Sequence, residues 1–189
     1  DSADYSASDA GVSVNLATGL GSGGHAQGDT LGGIENLTGS DHLDYLIGDA
    51  GDNVLTDASG ASGDLDLSEG APRQVFQGGA DNDEIIAVHQ GSWLEGNDGD
   101  DIIRGSDHVD LLAGNAGNDI MYASEGDQVW GWEGNDIVYL SHPTLSAFIM
   151  GEGIDTADYS QIGYGVTANL DSGAKDCEIA IGTAYNDTM

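Results

Sequence analysis

Five glycine-rich segments each end in an aspartate, and the type and spacing of these aspartates suit cation binding. The segments are GGADND (78–83), GNDGDD (96–101), GNAGND (114–119), GWEGND (131–136) and MGEGID (150–155). Their last residues lie 18, 18, 17 and 19 residues apart, and these are Asp83, Asp101, Asp119, Asp136 and Asp155. A carboxylate that recurs at this interval, each time after a turn-forming sequence, predicts a row of cation sites.

The charge of the chain also indicates a bound cation. Among 189 residues, 34 Asp and Glu outnumber 3 Lys and Arg, which gives a net charge of −31. Self-repulsion of this size opposes a compact state, yet 39% of the residues are hydrophobic and regularly spaced, unlike those of a disordered chain. So few basic residues argue against a nucleic-acid partner. No apolar run approaches the ~20 residues that span a membrane, and the single Cys177 excludes an internal disulfide framework.

A nine-residue rhythm of apolar residues surrounds the aspartates. From Thr30 onward, the eighth position of each unit is apolar, apart from an inserted loop at 57–68 and a one-residue deletion placed near Trp130. These positions are Leu37, Leu46, Leu55, Phe76, Ile85, Leu94, Ile103, Leu112, Met121, Val138, Phe148 and Ala157. Nine residues suit a six-residue turn and a three-residue strand. We therefore predict an all-β fold, a parallel β-roll (β-solenoid) of 18-residue coils with short flanking strands and a thin core between two sheets.

Alternate nine-residue units form two columns, one at each edge of the predicted roll. The sixth positions of the first column are Asn53 followed by the five aspartates. Those of the second column are Gln74, Ser92, Asp110, Gln128 and Ser146, and their turns mostly lack the glycine pattern. The sequence thus predicts metal along one edge only. Outside the first column, Asp44, Asp110 and Asp187 are additional candidate ligands.

The chemistry of the first column favours calcium. Neighbouring strands lie ~5 Å apart, and two carboxylates so close repel each other until one takes up a proton or a cation separates them. Calcium accepts carboxylate and carbonyl oxygens, whereas magnesium keeps its waters and zinc prefers His or Cys. We therefore predict several Ca²⁺ ions in one row. Alternatively, the aspartates only cap turns by accepting bonds from backbone amides, although this does not explain a one-sided column.

The segments resemble the nonapeptide GGxGxDxUx of RTX (repeats-in-toxin) proteins over roughly residues 30–158. Residues 4–40 also resemble the segment that commonly precedes these repeats in large secreted RTX proteins. The resemblance implies a calcium-bound roll, type I secretion and folding outside the cell on meeting calcium. It implies side-chain ligation by the five aspartates and carbonyl ligation by turn residues such as Gly78, Ala80, Gly96, Asp98, Gly99, Gly114, Ala116, Gly117, Gly131, Glu133, Gly134, Gly151 and Gly153.

Two residues depart from the family pattern. Asn53 lacks a charge, so a weaker site is expected between its turn and the next. Asp81 replaces a turn glycine, where it either adds a ligand or strains the turn.

A longer repeat encloses the roll. Residues 155–173 match residues 1–19, and after an 11-residue deletion residues 177–189 match residues 34–46. The larger unit is 154 residues long, which predicts a tandem array. We divide the chain into a strand and loop segment (1–29), the roll (30–158) and the start of the next module (159–189).

These features favour a non-catalytic, calcium-binding structural module of a secreted or cell-surface tandem-repeat protein, such as an adhesin, a surface-layer component or an extracellular filament. Its partners would be calcium and neighbouring copies or subunits. One alternative is an accessory roll that assists secretion of an extracellular enzyme. Another is recognition of a surface glycan by Trp93, Trp130, Trp132, Tyr122 and Tyr139. No nucleophile elbow, phosphate loop or HExxH motif occurs, so we assign no catalytic residue.

Overall fold

The computed structural model describes residues 1–58, 74–88, 91–143, 147–167 and 177–188. Within these ranges the regular elements are short strands and one 3₁₀ turn at Gly24–Ala26. Most of the predicted inserted loop at 57–68, and Ser146 of the second column, lie outside the described residues. Among the described residues, no helix has the length and apolar character needed to cross a membrane.

The strands, numbered β1 to β17 along the chain, form two sheets. Sheet A contains, in spatial order, β1 (Ser2–Asp4), β4 (Asn36–Thr38), β6 (Val54–Thr56), β8 (Glu84–Ile86), β10 (Ile102–Arg104), β12 (Ile120–Ala123), β14 (Ile137–Leu140), β16 (Thr156–Asp158) and β17 (Ile179–Ile181). Sheet B contains β15 (Ala147–Glu152), β13 (Gln128–Glu133), β11 (Leu111–Ala116), β9 (Ser92–Asp98), β7 (Gln74–Gly79), β5 (Tyr45–Ile47), β2 (Ser13–Asn15) and β3 (Leu20–Ser22).

The chain alternates between the sheets and advances by one strand per coil. Ile102 pairs with Ile120 in sheet A, and Leu94 pairs with Leu112 in sheet B, so the offset between paired residues equals the predicted length of one coil. All pairings between named strands are parallel except that of β2 with β3. The predicted parallel β-roll is confirmed.

The core is a double row of side chains from the middle of the strands. All twelve predicted eighth-position residues are buried, and Leu37, Leu55, Ile85, Ile103, Met121, Val138 and Ala157 stack in register along sheet A. Because side chains alternate between faces of a strand, a three-residue strand places only its middle side chain inside. The predicted thin core is therefore confirmed.

One part of the predicted register is wrong. Leu111 pairs with Gln128, so Asp127 rather than Gln128 lies opposite Asp110, and Val129 is the buried core residue. The deletion lies in the turn 124–127, where Gly126 adopts a φ of 86°. A left-handed glycine allows this turn to be one residue shorter.

The N-terminal residues form part of the two sheets. Strand β1 pairs with β4, and β2 pairs with both β5 and β3. The predicted strand and loop segment (1–29) also contains β3 and the 3₁₀ turn. The antiparallel β2–β3 pair lies at one end of sheet B, where it covers the edge of β5.

Candidate metal centre

The glycine-rich segments form the turns by which the chain leaves sheet B and enters sheet A. Each turn begins near the end of β7, β9, β11, β13 or β15 and ends at an aspartate directly before the next sheet A strand. We call this side of the roll the aspartate edge (78–83, 96–101, 114–119, 131–136 and 150–155). Parallel register therefore aligns the five predicted aspartates in one column.

One carboxylate oxygen of each aspartate holds the preceding coil. The backbone N–H of Asp83 donates to Oδ1 of Asp101 at 2.8 Å, and that of Asp101 donates to Oδ1 of Asp119 at 2.9 Å. The same bond joins Asp119 to Asp136 at 2.9 Å and Asp136 to Asp155 at 2.8 Å. These bonds join neighbouring coils. The alternative in which the aspartates only accept bonds from backbone amides therefore accounts for Oδ1.

The second oxygen is different. Oδ2 of Asp83, Asp101, Asp119 and Asp136 is buried and has no hydrogen-bond partner among the described residues. These four residues are at most 3% exposed. An unsatisfied buried acceptor is rare and costly, and a buried charge needs a partner. Capping alone leaves these oxygens unexplained, whereas a cation would satisfy them.

Glycine leaves room in front of these oxygens. A Cβ added to Gly78, Gly96, Gly114 or Gly131 would lie closer than 3.0 Å to Oδ2 of the aspartate five residues later. For Gly78, Gly96 and Gly131 it would also lie closer than 3.0 Å to a carbonyl oxygen of the next coil. Each space, which we call an oxygen cradle, thus adjoins a carboxylate oxygen, and three of the four also adjoin a carbonyl oxygen. Calcium accepts both kinds of ligand.

The electrostatics of the row point the same way. Burial raises the pKa of Asp83 and Asp119 to about 7 and that of Asp101 and Asp136 to about 6, and neighbouring carboxylates contribute to the increase. Hydrogen bonds from backbone N–H groups oppose it. A bound divalent cation would stabilise the ionised form and reverse the increase.

The repeats themselves match a known family. A family model described as the RTX calcium-binding nonapeptide repeat matches residues 92–121 and 125–141 in four copies. The coils between residues 92 and 141 therefore resemble RTX calcium-binding repeats. Asp83 and Asp155 continue the same row on either side of the match. The comparisons with curated proteins and with solved structures returned no match.

The carbonyls predicted as RTX ligands fall into distinct groups. Those of Gly96 and Gly114 adjoin the cradles of Asp83 and Asp101, and the cradle of Asp136 instead adjoins the carbonyl of Met150, which sequence reasoning missed. A carbonyl ligand needs no particular side chain, so Met150 carries no sequence signal. The carbonyls of Ala116 and Glu133 each accept a backbone hydrogen bond, from Gly99 and Gly117. They retain a second lone pair.

A second glycine row brings successive turns into close contact. Gly99, Gly117, Gly134 and Gly153 have φ between 129° and 146°. A Cβ on any of them would lie closer than 3.0 Å to the carbonyl oxygen of the equivalent residue one coil earlier. Only glycine fits here, because both the backbone conformation and the space exclude a side chain. These predicted residues therefore determine how closely the coils approach each other.

The remaining predicted residues lie at the margins of the row. Gly151 has a φ of 102° and packs against the backbone of Trp132. The N–H of Ala80 donates to the carbonyl of Asp49 at 3.0 Å. Asp98 is exposed at the end of β9. Asp81 is exposed, and its φ of 60° puts it in the left-handed region that the sequence associated with strain.

Asn53 differs from the aspartates of the row, because its side-chain oxygen has a hydrogen-bond donor. Its Oδ1 accepts the N–H of Asp49 at 2.7 Å, and its Nδ2 donates to the Asp49 carboxylate at 3.4 Å. Its own N–H donates to Oδ1 of Asp83 at 2.7 Å. Asn53 thus continues the bonds between coils, while its side chain is occupied within its own turn.

The opposite edge of the roll satisfies its carboxylates with protein donors. Asp110 Oδ1 accepts the N–H of Ser92 at 2.5 Å, and its Oδ2 accepts the N–H and the hydroxyl of Ser106 at 2.6 and 2.9 Å. Asp127 Oδ1 accepts the N–H of Asp110 and its Oδ2 that of Ser124. At Asp44 and Asp187, the N–H of Ser40 and Thr183 donates to Oδ2 and the hydroxyl donates to Oδ1. These additional candidate ligands are therefore occupied by hydrogen bonds.

A further row on the aspartate edge was missed by sequence reasoning. Its side-chain oxygens accept the N–H of the next coil's equivalent residue at 2.7–3.1 Å, and its members are Asp52, Asn82, Asp100, Asn118 and Asn135. The signal was present, because the fifth residue of each of these turns is Asn or Asp. This exposed row adds a second set of bonds between coils.

No group of three His, Cys, Asp or Glu side chains is placed to hold a metal within the described ranges. The aspartate edge explains this, since each of its turns contributes one buried aspartate carboxylate and the nearby buried oxygens are backbone carbonyls. The residues present therefore fit calcium, which binds carboxylate and backbone carbonyl oxygens. Calcium would neutralise the row, and the chain itself holds the coils in register.

Proposed function

We propose that this chain is a non-catalytic, calcium-stabilised structural module of a secreted or cell-surface tandem-repeat protein, of the adhesin, surface-layer or filament type. The observation that carries the proposal is the row of buried Oδ2 atoms at Asp83, Asp101, Asp119 and Asp136, which have no hydrogen-bond partner in the described residues. Each of these side chains also bonds to a neighbouring coil through Oδ1, so the ligands are themselves part of the fold.

This arrangement couples folding to calcium. Without a cation, the coils can stack only if their carboxylates are buried unsatisfied or protonated. In the unfolded chain these carboxylates are hydrated and the cradles do not exist, so the free energy of binding becomes free energy of folding. Extracellular calcium modules bind with a Kd of ~10⁻⁴–10⁻³ M. The chain would therefore stay unfolded in a low-calcium cytosol and fold outside the cell, where RTX proteins are typically found.

A calcium titration tests the proposal. We expect far-ultraviolet circular dichroism to show β-structure in millimolar calcium and its loss on adding a chelator, with recovery when calcium is restored. Calorimetry should show that Asp119→Asn lowers the calcium affinity. Asp107→Asn removes the same charge from an exposed residue on the opposite edge and serves as the control. Spectra that do not change with calcium would contradict the proposal.

The secretion-accessory alternative concerns the same module in a different protein. A catalytic domain encoded beside the roll would favour it, whereas further 154-residue units would favour the structural array. Secretion assays with and without the roll, in a type I system, would measure any accessory contribution directly.

A second candidate function, glycan recognition, is favoured by one surface feature. The rings of Tyr122 and Tyr139 stack with centroids 5.0 Å apart, and Arg104 covers Tyr122. A cavity of about 230 Å³ adjoins the pair and includes Ser124 and Gln161 in its lining. Aromatic rings beside polar groups suit a sugar, which has an apolar face and hydroxyls. Binding on a glycan array in calcium, abolished by Tyr139→Ala, would support this function, and absence of binding would remove it.

A further inference from the structure

The residues that repeat the N-terminal sequence also repeat its structure. Ser2 of β1 pairs with Asn36 of β4, and Thr156 of β16 pairs with Ile179 of β17. The second pair is closer along the chain than the first, and the difference equals the deletion in the sequence match. The β16–β17 pair therefore reproduces the β1–β4 pair.

The hydrogen bonds around the two pairs correspond one by one. The N–H of Tyr5 donates to Thr38 at 2.9 Å, and that of Tyr159 donates to Ile181 at 2.8 Å. The bridge between Thr167 and Thr188 has the register of Ser13 and Tyr45.

The same agreement holds for the aspartates that cap the turns of the opposite edge. The N–H of Val12 donates to Asp44 Oδ1 at 2.8 Å, and that of Val166 donates to Asp187 Oδ1 at 2.9 Å. The agreement spans strands, turns and side-chain caps, so residues 155–167 and 177–188 fold as the beginning of a second copy.

This second beginning stacks directly on the last coil of the first copy. The N–H of Thr156 donates to the carbonyl of Asp136, and the N–H of Asp136 donates to Oδ1 of Asp155, both at 2.8 Å. Asp155 is the last residue of an aspartate-edge turn and also corresponds to Asp1. Its carbonyl accepts the N–H of Ile179, as the carbonyl of Asp1 accepts that of Asn36. No linker separates the two copies at this joint.

We propose that successive copies of the 154-residue unit join as one uninterrupted roll, and this inference rests on the proposed tandem-repeat function. The surface that receives the next coil lies at β17. Ala180 corresponds to Leu37 but is partly exposed, whereas Leu37 is buried beneath Leu55 of β6. The partner that fits this surface is the β6 strand of the second copy.

The proposal fixes a length. Among the described residues, one copy contributes seven strands to sheet A, from β1 to β14, before β16 begins the next copy. At a strand spacing of about 4.8 Å, each copy adds about 34 Å along the roll axis. Modules separated by flexible linkers would add a larger and variable distance.

The test is a two-copy protein in which residues 1–154 precede the full chain. Small-angle X-ray scattering in calcium should show a maximum dimension about 34 Å greater than that of the single chain. A broad-specificity protease should leave the joint uncut. The control carries a 12-residue Gly-Ser linker at the joint, and we expect it to be longer and cleaved there.

Two results would overturn the proposal: cleavage of the direct fusion at the joint, or a length increase equal to that of the linker variant. Circular dichroism of both proteins separates this failure from failure of the proposed function. If neither protein gains β-structure in calcium, the calcium-dependent module itself is contradicted. If both fold in calcium but the increment is not about 34 Å, only the uninterrupted joint is contradicted.

Discussion

The Asp101 carboxylate accepts the backbone N–H of Asp83, one coil earlier, at 2.8 Å through Oδ1, while its Oδ2 faces an oxygen cradle without a donor among the described residues. One side chain therefore has two separable roles. Oδ1 holds neighbouring coils in register, and we propose that Oδ2 supplies a cation ligand. Substitutions that keep one oxygen and replace the other can distinguish these roles.

Asp101→Asn and Asp101→Ala should differ in a defined way. Asn retains the acceptor for the Asp83 N–H but loses the charge, so the calcium midpoint should rise about tenfold, or about 1.4 kcal/mol. Ala also leaves that buried N–H unsatisfied, which should cost a further ~1–3 kcal/mol in urea unfolding at saturating calcium. Equal stability of the two variants at saturating calcium would refute the role assigned to Oδ1.

Gly96→Ala should remove a cation site by filling its cradle. The added Cβ would lie closer than 3.0 Å to Oδ2 of Asp101 and to the carbonyl oxygen of Gly114. Gly96 has no positive φ, so the effect would come from occupied space and not from backbone strain. Anomalous scattering should count one ion fewer. Gly32→Ala is the control, because no heavy atom lies within 4 Å of its added Cβ, and an unchanged ion count in Gly96→Ala would refute the cradle.

How much of this site the sequence reveals depends on whether side chains or backbone atoms carry it. The nine-residue rhythm located the core correctly at residues such as Ile103 and Leu112, because a three-residue strand has one inward position. The rhythm misplaced the register at Asp127. The turn is one residue shorter around the left-handed Gly126, and the spacing of apolar residues does not show which residue is missing. The carbonyl of Met150 has no side-chain signal. The sequence also does not show that, in the first four aspartates of the row, Oδ1 is hydrogen-bonded while Oδ2 has no donor among the described residues. That difference arises from coil stacking, which brings donors distant in sequence next to Oδ1.

Ser106→Ala should show that the opposite edge contributes to stability without binding calcium. The Ser106 hydroxyl donates to Asp110 Oδ2 at 2.9 Å and accepts the N–H of His108 at 3.1 Å. Its loss should lower the free energy of unfolding in calcium by ~1–2 kcal/mol. Because protein donors satisfy this edge, calorimetry should give an unchanged number of bound ions. Loss of an ion in this variant would show that the opposite edge also binds calcium.

In the absence of calcium, the chain should be more stable in mild acid than at neutral pH. The pKa of Asp83 and Asp119 is raised to about 7 by burial in the folded chain, against about 3.9 when unfolded. Between these values the folded state holds protons that the unfolded state has released, so stability falls as pH rises from about 4 to about 7.

Circular dichroism of the chelated protein should therefore show more β-structure at pH 5 than at pH 8. A salt series at pH 8 provides the control, because salt screens general charge repulsion but protonates nothing. Saturating calcium should abolish the difference, since the cation replaces the protons. Chelated protein with equal β-structure at both pH values would argue against protonation of the buried row.

Trp132 occupies a backbone position that suits a smaller residue. Its φ is 79°. It pairs with Asn115, which in turn pairs with Asn97, and these two residues have φ of 82° and 80°. Left-handed conformation costs roughly 1–2 kcal/mol for most residues and less for asparagine, so Trp132→Asn should stabilise the calcium-bound roll by ~1 kcal/mol. Trp93→Asn, at a comparably exposed site within strand β9, should not stabilise it. Thermal unfolding in calcium compares the two. Strain of this kind is kept where a side chain has another use. Stabilisation by Trp132→Asn would therefore indicate that the exposed indole contacts a partner. Destabilisation would show that the indole packs on the roll itself.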